Sequence, residues 1–216
     1  MNSKQLFSYI LPITKTIKSK HSGTLEITWH NGKKQLNSKN ANYSYGSLQK
    51  ILKIGVDQIE LLKVKSVLVL GMGGGSVIET LRTDFNYIHQ ITAVEIDPDI
   101  IEIAHTEFGI SEDENLQIHC NDAYQFVKQS TKQFDLIILD LFIDLSVPDQ
   151  FLSESFWNEV LRLKSSKGDI IFNAAVKDGK HKTIQQLVSY LKTKVYKVDL
   201  LENVNNTNTL LILKSL

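Results

Sequence analysis

The residues with the clearest chemical potential lie at positions 67–77, where the run VLVLGMGGGSV carries an apolar strand straight into a glycine-rich turn. Gly71, Gly73 and Gly75 are spaced as in a turn that opens a helix. Glycine permits positive φ and close approach of a ligand to the backbone, and the first amides of the following helix favour electron-rich groups. A tight turn with no ligand is the simpler reading of the same glycines, and Ser76 stands where a nicotinamide-binding fingerprint has its third glycine. Glu95 closes the next apolar run, 24 residues after Gly71. A carboxylate at that place can accept hydrogen bonds from both hydroxyls of an adenosine ribose, and the apolar neighbours Val94 and Ile96 argue against a merely solvated strand end. Asp122, followed by Ala123, comes after a third run, where it can accept from an adenine amino group or cap the next helix. Asp140 ends a fourth run. Open parallel sheets place their chemistry beyond the carboxyl ends of their strands, so Asp140 should face a pocket as general base, cation contact or loop acceptor. Asp144 and Asp149, further along the same loop, read as solvated.

The elements that position these residues follow from periodicity. Apolar runs at 66–70, 91–96, 116–120, 134–139, 168–172, 194–200 and 209–213 alternate with amphipathic stretches at 76–85, 98–108, 123–130, 153–164 and 180–191. Continuous Val/Ile/Leu runs separated by helices predict a doubly wound α/β fold, a mostly parallel seven-stranded Rossmann-like sheet. Only ENVNNTN separates the last two runs, too little for a crossover helix, so the sheet should end in an antiparallel hairpin. Asp97 and Pro98 read as the cap and first residue of a helix. Before the sheet, 24–29 and 33–37 alternate around His30-Asn31-Gly32 and predict a β-hairpin, with 11–17 as a third strand and a helix at 48–62. The expected division is a small N-terminal β region, 1–46, and a nucleotide-binding domain, 47–216.

Composition removes other classes. With 216 residues, 24 basic and 24 acidic side chains and 42% hydrophobic residues, the chain is neither disordered nor fibrous. No apolar stretch approaches the roughly 18 residues of a spanning helix, and no secretory signal is seen, so a cytoplasmic protein without membrane partner is expected. The single cysteine, Cys120, reads as a small buried hydrophobe. The histidines are scattered, so no metal is expected, and there is neither a GxSxG elbow nor a Walker lysine. The neutral total hides an asymmetry: positions 1–65 hold eleven lysines against Glu26, Asp57 and Glu60, a net of +8, and the remainder carries −8. Lysine without arginine and with few aromatics argues against nucleic acid. It favours a basic region packed on its own domain or on a second subunit, hence a homodimer.

The motifs GMGGGSVIETLR, AVEIDPDIIEIAHTEFGI, LQIHCNDAYQFVK, FDLIILD and VPDQFLSESFWNEVLRLKSSKGDIIF, in this order, resemble the spermidine synthase family, which lies within the class I S-adenosylmethionine-dependent methyltransferase fold. The resemblance covers roughly 43–172. It implies that Glu95 binds ribose, Asp122 the adenine amine, and Gly71 and Gly73 the amino acid part of S-adenosylmethionine or its decarboxylated form, with Gly75 and Ala123 in the same cofactor-binding set. It also implies a catalytic pair, Asp140 at the reacting amine and Tyr45 as a pocket tyrosine. Three departures stand out. The family loop GGGDGG has an aspartate where this chain has Gly74, the family's Asp-Ser-Ser-Asp-Pro is Asp140-Leu141-Phe142-Ile143-Asp144, and Gly46 replaces the polar residue after the tyrosine. A buried ammonium needs paired carboxylates to offset its desolvation, so losing the aspartate counts against aminopropyl transfer while sparing the adenosine pocket. The leading expectation is therefore transfer of a methyl group to a small-molecule acceptor, an amine among the candidates. The alternatives are a true aminopropyltransferase making polyamine from putrescine, and a non-catalytic nucleoside-binding or scaffolding protein.

Overall fold

The computed structural model describes residues 3–38, 42–143, 146–174, 181–194, 196–206 and 208–215. A short helix α1 (Ser3–Phe7) precedes β1 (Ile13–Ser19), β2 (Gly23–His30), β3 (Lys33–Ser38) and β4 (Asn42–Ser44), an antiparallel sheet in chain order. Asn31 and Gly32, with φ of 49° and 74°, form the two-residue turn that pairs His30 with Lys33. Positive φ at both positions gives the turn the twist of its strands.

Helix α2 (Gly46–Val56) leads to β5 (Ser66–Leu70), α3 (Ser76–Thr83), β6 (Gln90–Glu95), α4 (Pro98–Phe108), β7 (Leu116–Cys120), α5 (Ala123–Gln129) and β8 (Phe134–Leu139). Then come α6 (Glu154–Leu163), β9 (Lys164–Asn173), α7 (His181–Lys192), β10 (Tyr196–Val204) and β11 (Asn208–Ser215). The strand order is β10-β11-β9-β8-β5-β6-β7, with β11 antiparallel to both its neighbours and the rest parallel. Alternate residues of β5 face opposite layers, as strands buried on both faces require. Val67 and Val69 pack with Ile51, Leu52, Ile78 and Leu81 of α2 and α3, whereas Leu68 and Leu70 pack with Phe156, Trp157 and Val160 of α6 and Leu187 of α7. Helix α2 stops at Val56, short of the expected 62. Gly55 lies against Ile171, where an added Cβ would meet Cγ2 at 2.9 Å, and the chain then turns and leaves Leu62 exposed. Strand β9 starts at Lys164 directly from α6, four residues before the expected position.

Cys120 is exposed, contrary to the expectation of a buried hydrophobe. It ends β7, the last strand of the sheet among the described residues, which buries only Leu116 fully. The basic N-terminal sheet packs on its own chain. Leu25, Ile27 and Leu36 are buried against Ile100 and Ile103 of α4, and Lys15 and Lys34 reach the two oxygens of Glu107 at 2.9 and 3.0 Å. Ion pairs that, like these, keep contact with solvent contribute about 1 kcal/mol each, and burying each aliphatic side chain about 1.5–3 kcal/mol, so the apolar contact dominates the docking. No helix among the described residues is long and apolar enough to cross a membrane.

Candidate functional site

Sheet order reverses at β5, whose neighbours β6 and β8 lead to opposite halves of the sheet, and the crevice beyond the strand ends at such a reversal is where ligands bind open α/β sheets. Hydrogen bonds continue past the strand ends. The amides of Gly71 and Met72 both donate to the Val94 carbonyl at 3.0 Å, and the Asp140 amide donates to the Leu70 carbonyl at 2.9 Å. Three tips are thereby held side by side. At Gly71 φ is 84°, and an added Cβ would stand 2.2 Å from the Asp140 carbonyl oxygen. Only glycine satisfies both constraints.

Glu95, 7% exposed, turns its carboxylate onto the loop: the Gly73 amide donates to Oε2 at 2.9 Å and the Asp97 amide to Oε1 at 3.1 Å. Burial raises its carboxyl above the usual range, the two amides oppose that rise, and the Asp97 charge adds to it. Asp97 caps α4 by accepting from the Asp99 amide at 2.9 Å and clamps the β1–β2 turn through the hydroxyls of Ser19 and Ser22. Burial alone would raise Asp97, but these donors hold it below the usual carboxylate range. The clamp brings Ser22 and His21 to the rim of the crevice, where the Tyr43 hydroxyl donates to Ser22 Oγ at 3.3 Å.

Beneath that rim lies a cavity of about 560 Å³. Gly71, Gly73, Glu95, Asp122, Ala123 and Asp140 all line it. Asp122 caps α5, its Oδ1 accepting from the Gln125 amide at 2.9 Å, and the residue also lines the cavity. Asp140 Oδ1 accepts from Asn173 Nδ2 at 2.9 Å. Burial pushes its carboxyl up to about 7, Asn173 opposing and the Glu95 charge assisting. Such a group holds and releases a proton near neutrality, the condition for general base work at that pH.

Two expected members lie elsewhere. Gly75, with φ of 85°, is the cap of α3, and an added Cβ would meet Ile110 Cγ1 at 2.6 Å, so helix packing accounts for it. Tyr45 stacks on Phe108 with ring centroids 4.4 Å apart, and its buried hydroxyl finds no hydrogen-bond partner among the described residues. Burial and the Glu79 charge hold this phenol well above the ordinary tyrosine range. Neither residue lines the cavity. Asp149 is exposed, as expected, and Asp144 lies outside the described residues. Among the described residues no group of three or more His, Cys, Asp or Glu is arranged to hold a metal ion.

The sequence reading passed over His21, Ser22, Tyr43 and Asn208, all of which line the cavity. Only Asn208 had a local signal, its place at the start of a strand following the asparagine-rich turn. The three others arrive through the docking of the small sheet, which no local pattern announces.

This strand order, closed by an antiparallel hairpin and carrying a glycine loop opposite a strand-end glutamate, defines the class I methyltransferase-type fold. The chain belongs to the spermine/spermidine synthase domain family, whose model matches residues 50–202. A polyamine aminopropyltransferase of Vibrio vulnificus (strain CMCP6) is 32% identical over 114 residues, 51% of this chain and 38% of that protein. An eEF1A lysine and N-terminal methyltransferase homolog of Drosophila melanogaster is 30% identical over 123 residues, 53% of this chain and 18% of that protein. The chain thus spans well under half the length of either relative. Human methyltransferase-like protein 13, solved in complex with SAH, shares the fold at a TM-score of 0.63 and 23% identity, over 79% of this chain and 82% of that one.

Proposed function

We propose that this protein is an S-adenosylmethionine-dependent transferase that passes a methyl group to a small acceptor. The observation that carries the reading is the convergence of Gly71, Gly73, Glu95, Asp122 and Asp140 on one cavity at the reversal of strand order. The residues fit the donor. Glu95 offers acceptors to a ribose diol, Asp122 to an adenine amine, and the glycine loop leaves backbone open where any side chain would crowd the site. A sulfonium donor supplies an electrophilic carbon, so the chain need supply no covalent nucleophile. Its own residues align the partners and take up a proton at Asp140.

The methyl preference rests on Gly74. An added Cβ there would meet Ser44 Cβ at 3.1 Å and Oγ at 3.2 Å, and Ser44 Oγ is already engaged as acceptor for the Ser76 amide at 3.3 Å. A side chain at position 74 would thus be crowded by Ser44, and Gly74 itself offers no carboxylate to neutralise an aminopropyl ammonium. Aminopropyl transfer, and with it a place in polyamine biosynthesis, is the second reading, favoured by the Vibrio vulnificus relative. Division at about residue 46 into a rim-forming β region and a donor-binding domain belongs to the proposal. So do a homodimer, supported by the exposed apolar side chains of Leu6, Phe7, Ile10 and Leu11, and a cytoplasmic location, supported by the unpaired Cys120.

Calorimetric titration with S-adenosylhomocysteine tests the donor site. Glu95→Gln should weaken binding by about 1–3 kcal/mol, roughly 5- to 150-fold, the cost of losing a charged acceptor at a buried partner. An unchanged Kd in a folded variant would remove Glu95 from the site.

A further inference from the structure

The C-terminal hairpin does more than close the sheet. It presents Asn208, the first residue of β11, beside Asn173, the last residue of β9, and each amide has a defined polarity. Asn208 Nδ2 donates to Asn173 Oδ1 at 2.8 Å, and Asn173 Nδ2 donates to Asp140 Oδ1 at 2.9 Å. Asn173 is fully buried, whereas Asn208 and Asp140 both line the cavity. An ionised carboxylate only accepts, so Asn173 must turn its NH2 group to Asp140. Its carbonyl oxygen then needs a donor, which is what Asn208 supplies. A buried amide lacking that donor would be free to flip, and its flipped form would set oxygen against oxygen.

We propose that Asn173 and Asn208 form a two-amide relay that fixes the orientation of the Asp140 carboxylate and favours its ionised, proton-accepting form. The role toward an acceptor rests on the transferase reading above; the relay itself does not need a substrate to be observed. Asn173 is a positioning residue, because it touches Asp140 and does not line the cavity, and Asn208 positions Asn173 in turn. Charge-assisted hydrogen bonds are the stronger kind, so the inner bond should matter more than the outer one. The other titratable groups lining the cavity are Glu95, Asp122, His21 and Tyr43. Of these Glu95 acts on Asp140 directly, raising its carboxyl. All four are retained in the variants below, so differences between proteins report the relay.

The test is a 13C-NMR titration of protein labelled at the aspartate carboxyl carbon, with the Asp140 resonance assigned by its loss in Asp140→Asn. The wild-type midpoint should lie near 7. Asn173→Leu, close in volume but without a donor, should move it upward by at least about one pH unit, the consequence of removing a hydrogen bond to the charged form. Asn208→Ala should move it upward by about half as much, through the outer bond alone. A purely structural role would leave the midpoint of a folded variant where it was. Should Asn173→Leu fail to fold, Asn208→Ala decides, since it leaves β9 and the inner pair intact. An unmoved midpoint in the folded variants overturns the relay. Because the titration uses no donor or acceptor, that failure is separate from failure of the transferase reading, which shows as absence of donor binding in the wild-type protein.

Discussion

Asp140→Asn should melt at a higher temperature than the wild type at pH 8 and at the same temperature near pH 4. Burial, helped by Glu95, raises the folded-state carboxyl to about 7, whereas in the unfolded chain an aspartate titrates near 3.9. Between those values the folded state binds more protons than the unfolded state, so wild-type stability falls as pH rises from about 4 to 7 and stays reduced above. Asparagine carries no charge to desolvate, and its carbonyl oxygen can keep the bond from Asn173. Allowing for water that reaches the cavity wall, the gain at pH 8 is about 2 kcal/mol, or roughly 4 to 8 °C for a chain of this size. Any transfer activity should fall about 10²- to 10⁴-fold, the usual worth of a positioned base, with donor affinity nearly unchanged. Function and stability would thus oppose each other at one carboxylate. Thermal melts at the two pH values check this, and an asparagine variant less stable than wild type at pH 8 would contradict it.

The second large effect belongs to the glycine loop. Gly71→Ala should destabilise the fold by about 3 kcal/mol or more, because the new methyl group would stand 2.2 Å from the Asp140 backbone carbonyl, just past β8, at a φ of 84°. Left-handed backbone alone costs an alanine only about 1–2 kcal/mol. Gly109, which ends α4 at a φ of 72° with nothing within 4 Å of an added Cβ, provides the comparison. Urea denaturation of Gly71→Ala and Gly109→Ala side by side separates strain from close approach, since only the former variant must push β5 and β8 apart. Equal losses in the two would show that the strand tips do not depend on their contact at Gly71.

The parts of the site that were legible in the sequence are those written locally. Gly71, Gly73, Glu95, Asp122 and Asp140 each follow or end an apolar run, and parallel strands bring all such ends to one edge. Gly75 shares that local setting, yet Ile110 accounts for it, and Ile110 is 35 residues away. Resemblance points to Tyr45, yet the structure buries its ring against Phe108 while Tyr43, two residues earlier, reaches the rim. Two residues apart, the two tyrosines would share one face of a continued strand, but β4 ends at Ser44, and Tyr45, at a φ of 71°, turns the chain into α2 and off that face. Cys120 shows the same dependence on context: an apolar run cannot reveal that its strand lies at the sheet edge. The amide pair of Asn173 and Asn208 is joined across 35 residues by the antiparallel pairing of β9 with β11, which the local setting of Asn208 does not announce.

The donor proposed for the cavity keeps its amino acid carboxylate. Parallel calorimetric titrations of the wild-type protein with S-adenosylmethionine and decarboxylated S-adenosylmethionine are the sharpest test, because the two ligands differ only in that carboxylate. The carboxylate-bearing donor is expected to bind at least about tenfold more tightly, a difference of about 1.4 kcal/mol. Equal or tighter binding of the decarboxylated donor, with spermidine formed from putrescine at about 1 per second or faster, would contradict it and establish aminopropyl transfer instead.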